Sequence, residues 1–156
     1  MNSFYTVVNK RFKARSKRQG FTLLELMIVV MVVAVLAAFA YPAYTQFLLK
    51  GWRAEGRMAL HELLLQQESY MNQTGTYKIF SAGATGTPFR TFSGDNASGS
   101  AYLLGARECS GKTLRECVEL FAVPVASKND PVIDELVIDS TGAKSCTSTD
   151  VAVCWP

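Results

Sequence analysis

The sequence has little of what most enzymes use. Its 156 residues contain one histidine, His61, and no C-x-x-C pair. Catalytic triads need a histidine or an equivalent base beside a nucleophile, and no such signature surrounds His61. Asp134 and Glu135 are adjacent, so in a strand their side chains would point to opposite faces and could not act together. We therefore expect no enzymatic activity and no cofactor.

One short stretch resembles a nucleotide-binding motif without completing it. Ser110-Gly111-Lys112-Thr113 matches the end of a phosphate-binding loop, but the motif needs a glycine at position 106, where Ala106 stands. The stretch also precedes a strand-like segment rather than a helix. We therefore exclude a phosphate-binding loop.

Acidic residues are missing from the first twenty positions. This leader holds six of the sixteen basic residues, namely Lys10, Arg11, Lys13, Arg15, Lys17 and Arg18. From Phe21 onward ten basic residues face thirteen acidic ones, a net charge near −3. The positive charge therefore belongs to the leader, which weakens a general case for nucleic-acid binding.

Charge is also nearly missing from the segment that follows the leader. Between Phe21 and Tyr41 only Thr22 and Glu25 are polar. A helix of that length, at about 1.5 Å per residue, spans roughly 30 Å and can cross a bilayer. The basic flank predicts a cytoplasmic leader and a chain that lies outside the membrane after Pro42. The alternative is a cleaved secretory signal ending at Ala38-Phe39-Ala40, with a mature chain that starts at Tyr41.

All four cysteines fall in the last third of the chain. Zinc sites usually use C-x(2–4)-C pairs, whereas the cysteines here form two C-x(7)-C pairs, so we expect disulfides, an oxidising compartment and no metal. Four cysteines allow three connectivities. We favour the local pairs Cys109–Cys117 and Cys146–Cys154.

Glu25 is costly in an apolar helix. A carboxylate at the centre of a membrane helix costs about 2.5–3.5 kcal/mol, and less near an interface. An acid in this place is a functional hypothesis that needs a partner, and the alternative is an incidental glutamate near the lipid headgroups.

Gly20-Phe21-Thr22-Leu23-Leu24-Glu25, behind a basic leader and before a long apolar helix, resembles the type IV prepilin signature. The resemblance implies that prepilin peptidase cuts after Gly20 and that Phe21 becomes N-methyl-phenylalanine. It implies that Glu25 faces the N-terminal amine of a neighbouring subunit and sets the register of assembly. The leader is longer than in most of the family.

Beyond Pro42, which should kink the helix around residues 38–41, an amphipathic helix is predicted over 45–73. Its apolar stripe consists of Trp52, Gly56, Ala59, Leu60, Leu63 and Tyr70. Met58, Leu64 and Leu65 lie off this stripe. Either they contact other protomers, or the buried face of the helix is wider than the stripe. We expect His61 to be solvated.

A long surface connection is predicted over 78–100, because the segment is rich in glycine, serine and threonine. Strands are predicted at 100–106, 117–126 and 135–139. Three or four antiparallel strands could cover the stripe. The predicted fold is α+β, with a disulfide-closed C-terminal region, and it agrees with the type IV pilin plan. "TGTYK" and "LVIDSTGAK", followed by "CW" near the end, resemble minor pilins of the PilE kind and their competence-pilin relatives.

The predicted organisation is a cleaved leader (1–20), a membrane-spanning and filament-core helix (21–44) and a periplasmic domain (45–156). The resemblance implies a pilus subunit, in our interpretation a minor pilin, first held in the bacterial inner membrane and then exported in the filament. Its implied partners are other pilins, the prepilin peptidase and the inner-membrane assembly platform. Its implied roles are pilus assembly and pilus-dependent twitching motility, adhesion or DNA uptake.

Two alternatives share this N-terminus. One is a pseudopilin of a type II secretion system. The other is a DNA-binding competence pilin, whose candidate contacts are Lys112, Arg115 and Lys144. These cations are few and no aromatic interleaving accompanies them. Four acids interrupt them, Glu108, Glu116, Asp130 and Asp134. The sequence therefore favours a nucleic-acid-binding role less than a structural one.

Overall fold

The computed structural model describes residues 20–128, 130–148 and 151–156. One long helix precedes a four-stranded antiparallel sheet, and a short helix lies near the C-terminus. The elements are α1 (Leu23–Thr74), β1 (Tyr102–Glu108), β2 (Val118–Pro124), β3 (Leu136–Asp139), β4 (Lys144–Cys146) and α2 (Val151–Cys154). The predicted α+β class is confirmed. The predicted leader, except for Gly20, lies outside the described residues.

The chain divides into two compact units, and the boundary falls between Tyr41 and Pro42. α1 runs through Pro42 without leaving the helical state, and the kink near this residue stays a prediction. Side chains of the first unit are exposed throughout its described part. Within the part of the chain that the structure describes, α1 is the one helix that is long and apolar enough to cross a membrane.

The second half of α1 packs on the sheet through the predicted stripe. Ala59, Leu60 and Leu63 are fully buried in the core. Gly56 lies where the helix comes closest to the strands: a Cβ there would stand 3.0 Å from the Tyr102 ring and 3.2 Å from Leu136 Cδ1. A larger residue would therefore push the helix off the sheet.

The residues beside the stripe divide into two groups. Leu64 is half-buried and packs against the core. Met58 and Leu65 stay 61% and 70% exposed. Leu64 therefore belongs to a wider buried face of the helix, whereas Met58 and Leu65 do not. His61 is exposed, as expected, and its ring meets Trp155 edge-on with 6.0 Å between centroids.

The sheet has the order β1-β2-β3-β4, and every neighbouring pair is antiparallel. Alternate side chains point at α1, as the period of a strand requires. The inward-facing set consists of Tyr102, Leu104, Ala106, Val118, Leu120, Ala122, Leu136 and Ile138. On the outer face the Phe121 ring lies over Gly105, where a Cβ would stand 2.3 Å from the ring. Only glycine leaves room for that ring.

The three predicted strands begin and end within two residues of the observed ones. β2 ends at Pro124, because Ala126 opens a 3-10 turn over Ala126–Lys128. β4 was not predicted, because its three residues are mostly polar and too short to show an alternating pattern.

Both edges of the sheet are partly covered. The 78–100 connection, which has no long regular element, forms isolated bridges to β1 from Phe80 and Phe92. At the other edge the indole Nε1 of Trp155 donates to the carbonyl of Ser145 on β4, at 2.9 Å. Such covering blocks edge-to-edge pairing with another sheet.

Disulfides join Cys109 to Cys117 and Cys146 to Cys154. These are the local pairs favoured by the spacing. The first closes the β1–β2 connection, and the second ties β4 to α2.

Candidate functional site

The N-terminal candidate site begins one turn before the apolar helix. Gly20 and Phe21 lie in non-helical, exposed backbone, and α1 starts at Leu23. The hydroxyl of Thr22 accepts a hydrogen bond from the Glu25 amide at 3.1 Å, and the Thr22 carbonyl accepts one from Leu26. Thr22 is thus the N-cap, and Thr22-x-x-Glu25 has the spacing of a capping box. This capping signal was present in the sequence but was missed.

The cap gives Glu25 a local role beside the predicted one. As the third helical residue it lies among unpaired backbone amides at the positive end of the helix dipole, which favours a carboxylate. Phe21 is 84% exposed, so the Gly20–Phe21 bond is accessible. A new amine at Phe21 would lie about one helical turn from Glu25.

The apolar side chains that follow Glu25 contact little within the chain. Side chains from Leu26 to Phe39 are exposed, and the large ones show at least half of their surface. An apolar surface of this size is stable only against lipid or against other apolar helices. The segment therefore needs a membrane, a bundle of like helices, or both in succession.

The second candidate site lies at one end of the sheet. Lys112 and Arg115 belong to the β1–β2 connection, and Lys144 opens β4 directly after the β3–β4 turn. Because consecutive strands are antiparallel, both connections leave the sheet at the same end. The structure thus brings the three predicted cations to one end of the domain, and all three are exposed.

The loop that carries Lys112 and Arg115 is held at several points. The Leu114 carbonyl accepts a hydrogen bond from the Tyr77 amide, just after α1. Glu116 Oε2 accepts bonds from the Thr113 amide and hydroxyl, at 3.0 and 2.8 Å. With the Cys109–Cys117 bridge, these bonds fix the loop in place.

Acids offset the cations at this end. Hydrogen bonds from the Thr113 amide and hydroxyl lower the pKa of Glu116. Burial raises the pKa of Asp139, but hydrogen bonds from Thr141 and Ala143 outweigh it, so the pKa is lowered. Both groups are ionised at neutral pH. Together with Glu108 they balance the three cations. Asp139 was not among the acids that the sequence analysis named.

One aromatic residue accompanies the cations. Lys144 Nζ lies 5.0 Å from the centroid of the Trp155 ring, within the range of a cation–π contact. Trp155 is half-exposed. The sequence reasoning found no aromatic partner, because Trp155 is eleven positions away from Lys144.

A possible metal group at this end is already occupied by protein contacts. The Cys109 and Cys117 sulfurs and an Asp139 oxygen lie within 4.8 Å of one another. The two sulfurs are bonded to each other, and Asp139 Oδ1 accepts three hydrogen bonds from Thr141 and Ala143. These atoms maintain the turn and the bridge.

A buried ion pair was missed by sequence reasoning. Arg53 Nε and Nη2 donate to the two oxygens of Asp130, at 2.6 and 2.8 Å. Their exposed fractions are 7% and 3%. The Val132 amide also donates to Asp130. The signal was the position of Arg53, three residues before Gly56 and seven before Leu60, on the buried stripe.

Two protein-family models match this chain. The prokaryotic N-terminal methylation motif matches residues 15–41. The model described as type IV minor pilin ComP, DNA uptake sequence receptor, matches residues 42–131, which is more than half of the chain. The chain belongs to this family of type IV pilins. Its class is that of a structural pilin subunit.

Curated relatives of this pilin include major subunits. The type IV major fimbrial protein FimA of Dichelobacter nodosus is 52% identical over 42 residues, 27% of this chain and 26% of that protein. The type IV major pilin protein PilA of Myxococcus xanthus is 37% identical over 70 residues, 45% of this chain and 31% of that protein. The chain therefore matches less than a third of the length of these relatives.

Two solved structures are similar to this pilin. A type IV pilin from Shewanella oneidensis is 18% identical with a TM-score of 0.43, covering 69% of this chain and 98% of that one. The non-core minor pilin PilV of Neisseria meningitidis is 15% identical with a TM-score of 0.48, covering 67% and 91%.

Each family model covers one of the two candidate sites, the first wholly and the second in part. The methylation motif contains the Gly20–Phe21 junction and Glu25. The longer model contains Lys112, Arg115 and the first disulfide, and it ends before Lys144.

Proposed function

We propose that this pilin is a minor subunit of a type IV pilus, made as a precursor and cleaved by prepilin peptidase between Gly20 and Phe21. The observation that carries the proposal is the capped helix start, with an exposed, non-helical Gly20–Phe21 bond ahead of an unpartnered apolar helix. The bond lies in non-helical backbone, because residues 20–22 precede the first helical residue, Leu23. Methylation of Phe21 would follow.

The exposed apolar half of α1 first lies in the inner membrane, with the domain from residue 45 onward in the periplasm. The assembly platform then moves the subunit into the filament, where this half packs on neighbouring helices. Glu25 pairs with the N-terminal amine of an adjacent subunit and sets its depth. Because opposite charges attract strongly where water is scarce, this pair fixes the register. No catalytic step belongs to the subunit.

The N-terminus of the mature protein tests this proposal. We expect mass spectrometry of the protein from sheared pili to find a chain that begins with N-methylated Phe21. A Gly20→Val variant should stay in the membrane at precursor mass, because a branched side chain at the cleaved bond blocks access. A mature chain that begins at Tyr41 would contradict the pilin processing and support a cleaved secretory signal.

DNA reception is the second candidate function of this pilin. The family model that matches residues 42–131 carries the description of a DNA uptake sequence receptor. Lys112, Arg115 and Lys144 supply cations at one end of the sheet, and the Trp155 ring lies beside Lys144. Cations that contact phosphates give affinity, and an aromatic ring can stack on an exposed base or a sugar. The nearby acids limit non-specific binding.

Titration of the full chain in detergent with duplex DNA tests this second function. Alanine at positions 112, 115 and 144 should weaken binding and lower the slope of log affinity against log salt by about 0.9 for each phosphate that the variant no longer neutralises. The control replaces Lys50 and Lys128, two cations beyond the opposite end of β2, and should bind as the unmodified chain does. Equally weakened binding in both variants would rule out this surface.

A further inference from the structure

A cationic groove lies between α1 and the C-terminal segment. Its volume is about 580 Å³, and it is lined by Gln46, Lys50, Arg53, Arg57, Val132, Ala152, Val153 and Pro156. The helical residues are spaced by four, three and four, so they form one line along α1. The opposite wall is mostly apolar.

Two cations in the groove lack an acidic partner. Arg53 is paired with Asp130, but among the residues that the structure describes no carboxylate pairs with Lys50 or Arg57. The Arg57 guanidinium donates to the Cys154 carbonyl, and burial lowers its pKa. A half-buried cation with one neutral partner is incompletely compensated. The groove therefore favours an anionic occupant with an apolar part.

The same helix presents such a surface on its other side. Glu55 lies two residues from both Arg53 and Arg57, about 200° around the helix at 100° per residue. It lines a second hollow, of about 300 Å³, together with Met58, Ala59, Glu62, Arg90, Gly94 and Asp95. We call this surface the acidic face. Arg90 pairs with Glu62, and no ion pair in the described residues involves Glu55 or Asp95.

The groove and the acidic face are complementary. The groove has two cations without an acidic partner beside half-exposed and exposed apolar side chains, Val153 and Val132. The acidic face has two carboxylates without a cationic partner beside Met58, whose side chain is 61% exposed. We propose that the groove of one subunit receives the acidic face of a second copy of this chain, with Met58 against Val132 and Val153.

Such a contact uses different surfaces on its two partners. A heterologous contact of this kind leaves one groove and one acidic face free, so two copies can associate without closing into a symmetric dimer. The contact deepens the pilus role proposed above and rests on it. It also gives Met58 and the incompletely compensated Arg57 a shared explanation.

Photo-crosslinking in the full chain tests this contact. A benzophenone amino acid in place of Met58 should yield a dimer upon illumination of cells, with the adduct mapped by mass spectrometry to Val132 or Val153 of the other copy. The matched control places the same group at Ile79, which is 52% exposed elsewhere in the domain, and should give several-fold less dimer. Equal yields, or an adduct with another pilin, would overturn the proposal.

Charge substitution gives a second readout. Lys50→Glu should lower the Met58 adduct several-fold, whereas Lys78→Glu, with the same charge change outside the groove, should leave it unchanged. Equal effects of the two variants would overturn the contact. Sheared pili are assayed for the protein in parallel: its absence refutes the pilus role, whereas its presence without the groove adduct refutes only this contact.

Discussion

At the scale of single residues, the Arg53–Asp130 pair decides how the connection before β3 meets α1. The pair is bidentate and buried, and the Tyr102 hydroxyl lies 3.5 Å from the same carboxylate. The desolvation cost of a buried pair is repaid only while both partners remain. The pair therefore holds the chain that leads into β3 against α1 only while both charges are present.

Removing one partner of the Arg53–Asp130 pair should destabilise the domain much more than replacing both. Asp130→Ala leaves the Arg53 charge buried and unpaired, and we expect it to lower the free energy of unfolding by about 3–5 kcal/mol. The control variant, Arg53→Met with Asp130→Leu, should unfold near the unmodified chain. Urea titration of the full chain in detergent, followed by near-ultraviolet circular dichroism, measures both. A double variant as unstable as Asp130→Ala would contradict this account.

The same pair makes the stability of the domain fall at acidic pH. Burial raises the pKa of Asp130, but hydrogen bonds from Arg53 and the Val132 amide outweigh this and hold the pKa below its usual value. A lowered folded-state pKa adds stability above the unfolded-state pKa of about 4, and this stability is lost as the pH falls further. The apolar double variant should lose less stability than the unmodified chain between pH 5 and about pH 3.

At the scale of elements, the two disulfides close loops of equal length but hold different structures. Cys146–Cys154 joins β4 to α2, and Arg57 of α1 donates to the Cys154 carbonyl. The C-terminal segment thus depends on this bridge for its place against α1. Cys109–Cys117 closes a loop that also has its own hydrogen bonds to Thr113.

Alanine at both positions of either bridge should cost about 2–3 kcal/mol, because the two loops have the same length. The variants should differ in hydrogen exchange. Without Cys146–Cys154, amides in residues 151–156 should lose protection and the groove should open. Without Cys109–Cys117, that segment should stay protected. Equal exchange there in both variants would show that the bridge does not hold the C-terminal segment.

The long elements were predictable because their patterns are long. The apolar run and the stripe of Ala59, Leu60 and Leu63 fix α1, and alternation fixes β1 and β2. Contacts between distant residues were not predictable. Gln67 lies on the stripe, four residues after Leu63, so its burial has a sequence signal, but the bonds of its amide to both backbone groups of Lys78 have none. Asp130 looked like an acid that interrupts a basic surface, whereas it is the buried partner of Arg53.

The candidate sites differ in the same way: residues in a local motif could be predicted, whereas groupings of distant residues could not. The prepilin motif marks Gly20, Phe21 and Glu25 by local spacing alone. Lys112, Arg115 and Lys144 could be named individually, but their common location depends on antiparallel pairing that brings two connections to one end. The groove combines residues about a hundred positions apart, so no local pattern could predict it.

At the scale of the whole molecule, the two units differ in whether their apolar side chains are buried within the chain. Described side chains up to Tyr41 are exposed and largely apolar, whereas the second unit has its own buried core. The first unit therefore depends on lipid or on other apolar helices for burial. Glu25 is the one charged residue in its helical part, so its charge matters in both environments.

Glu25 has two separable roles, helix capping and pairing with a neighbour, and one substitution distinguishes them. Glutamine is accepted at the third helical position of a capping box but carries no charge. If pairing sets register, Glu25→Gln and Glu25→Ala should both enter the membrane normally, yet both should be depleted in sheared filaments relative to the membrane fraction. Glutamine that assembles like glutamate, while alanine fails, would assign Glu25 to capping alone. The assay counts this protein itself by immunoblot, because other pilins can maintain the filament when a minor subunit is missing.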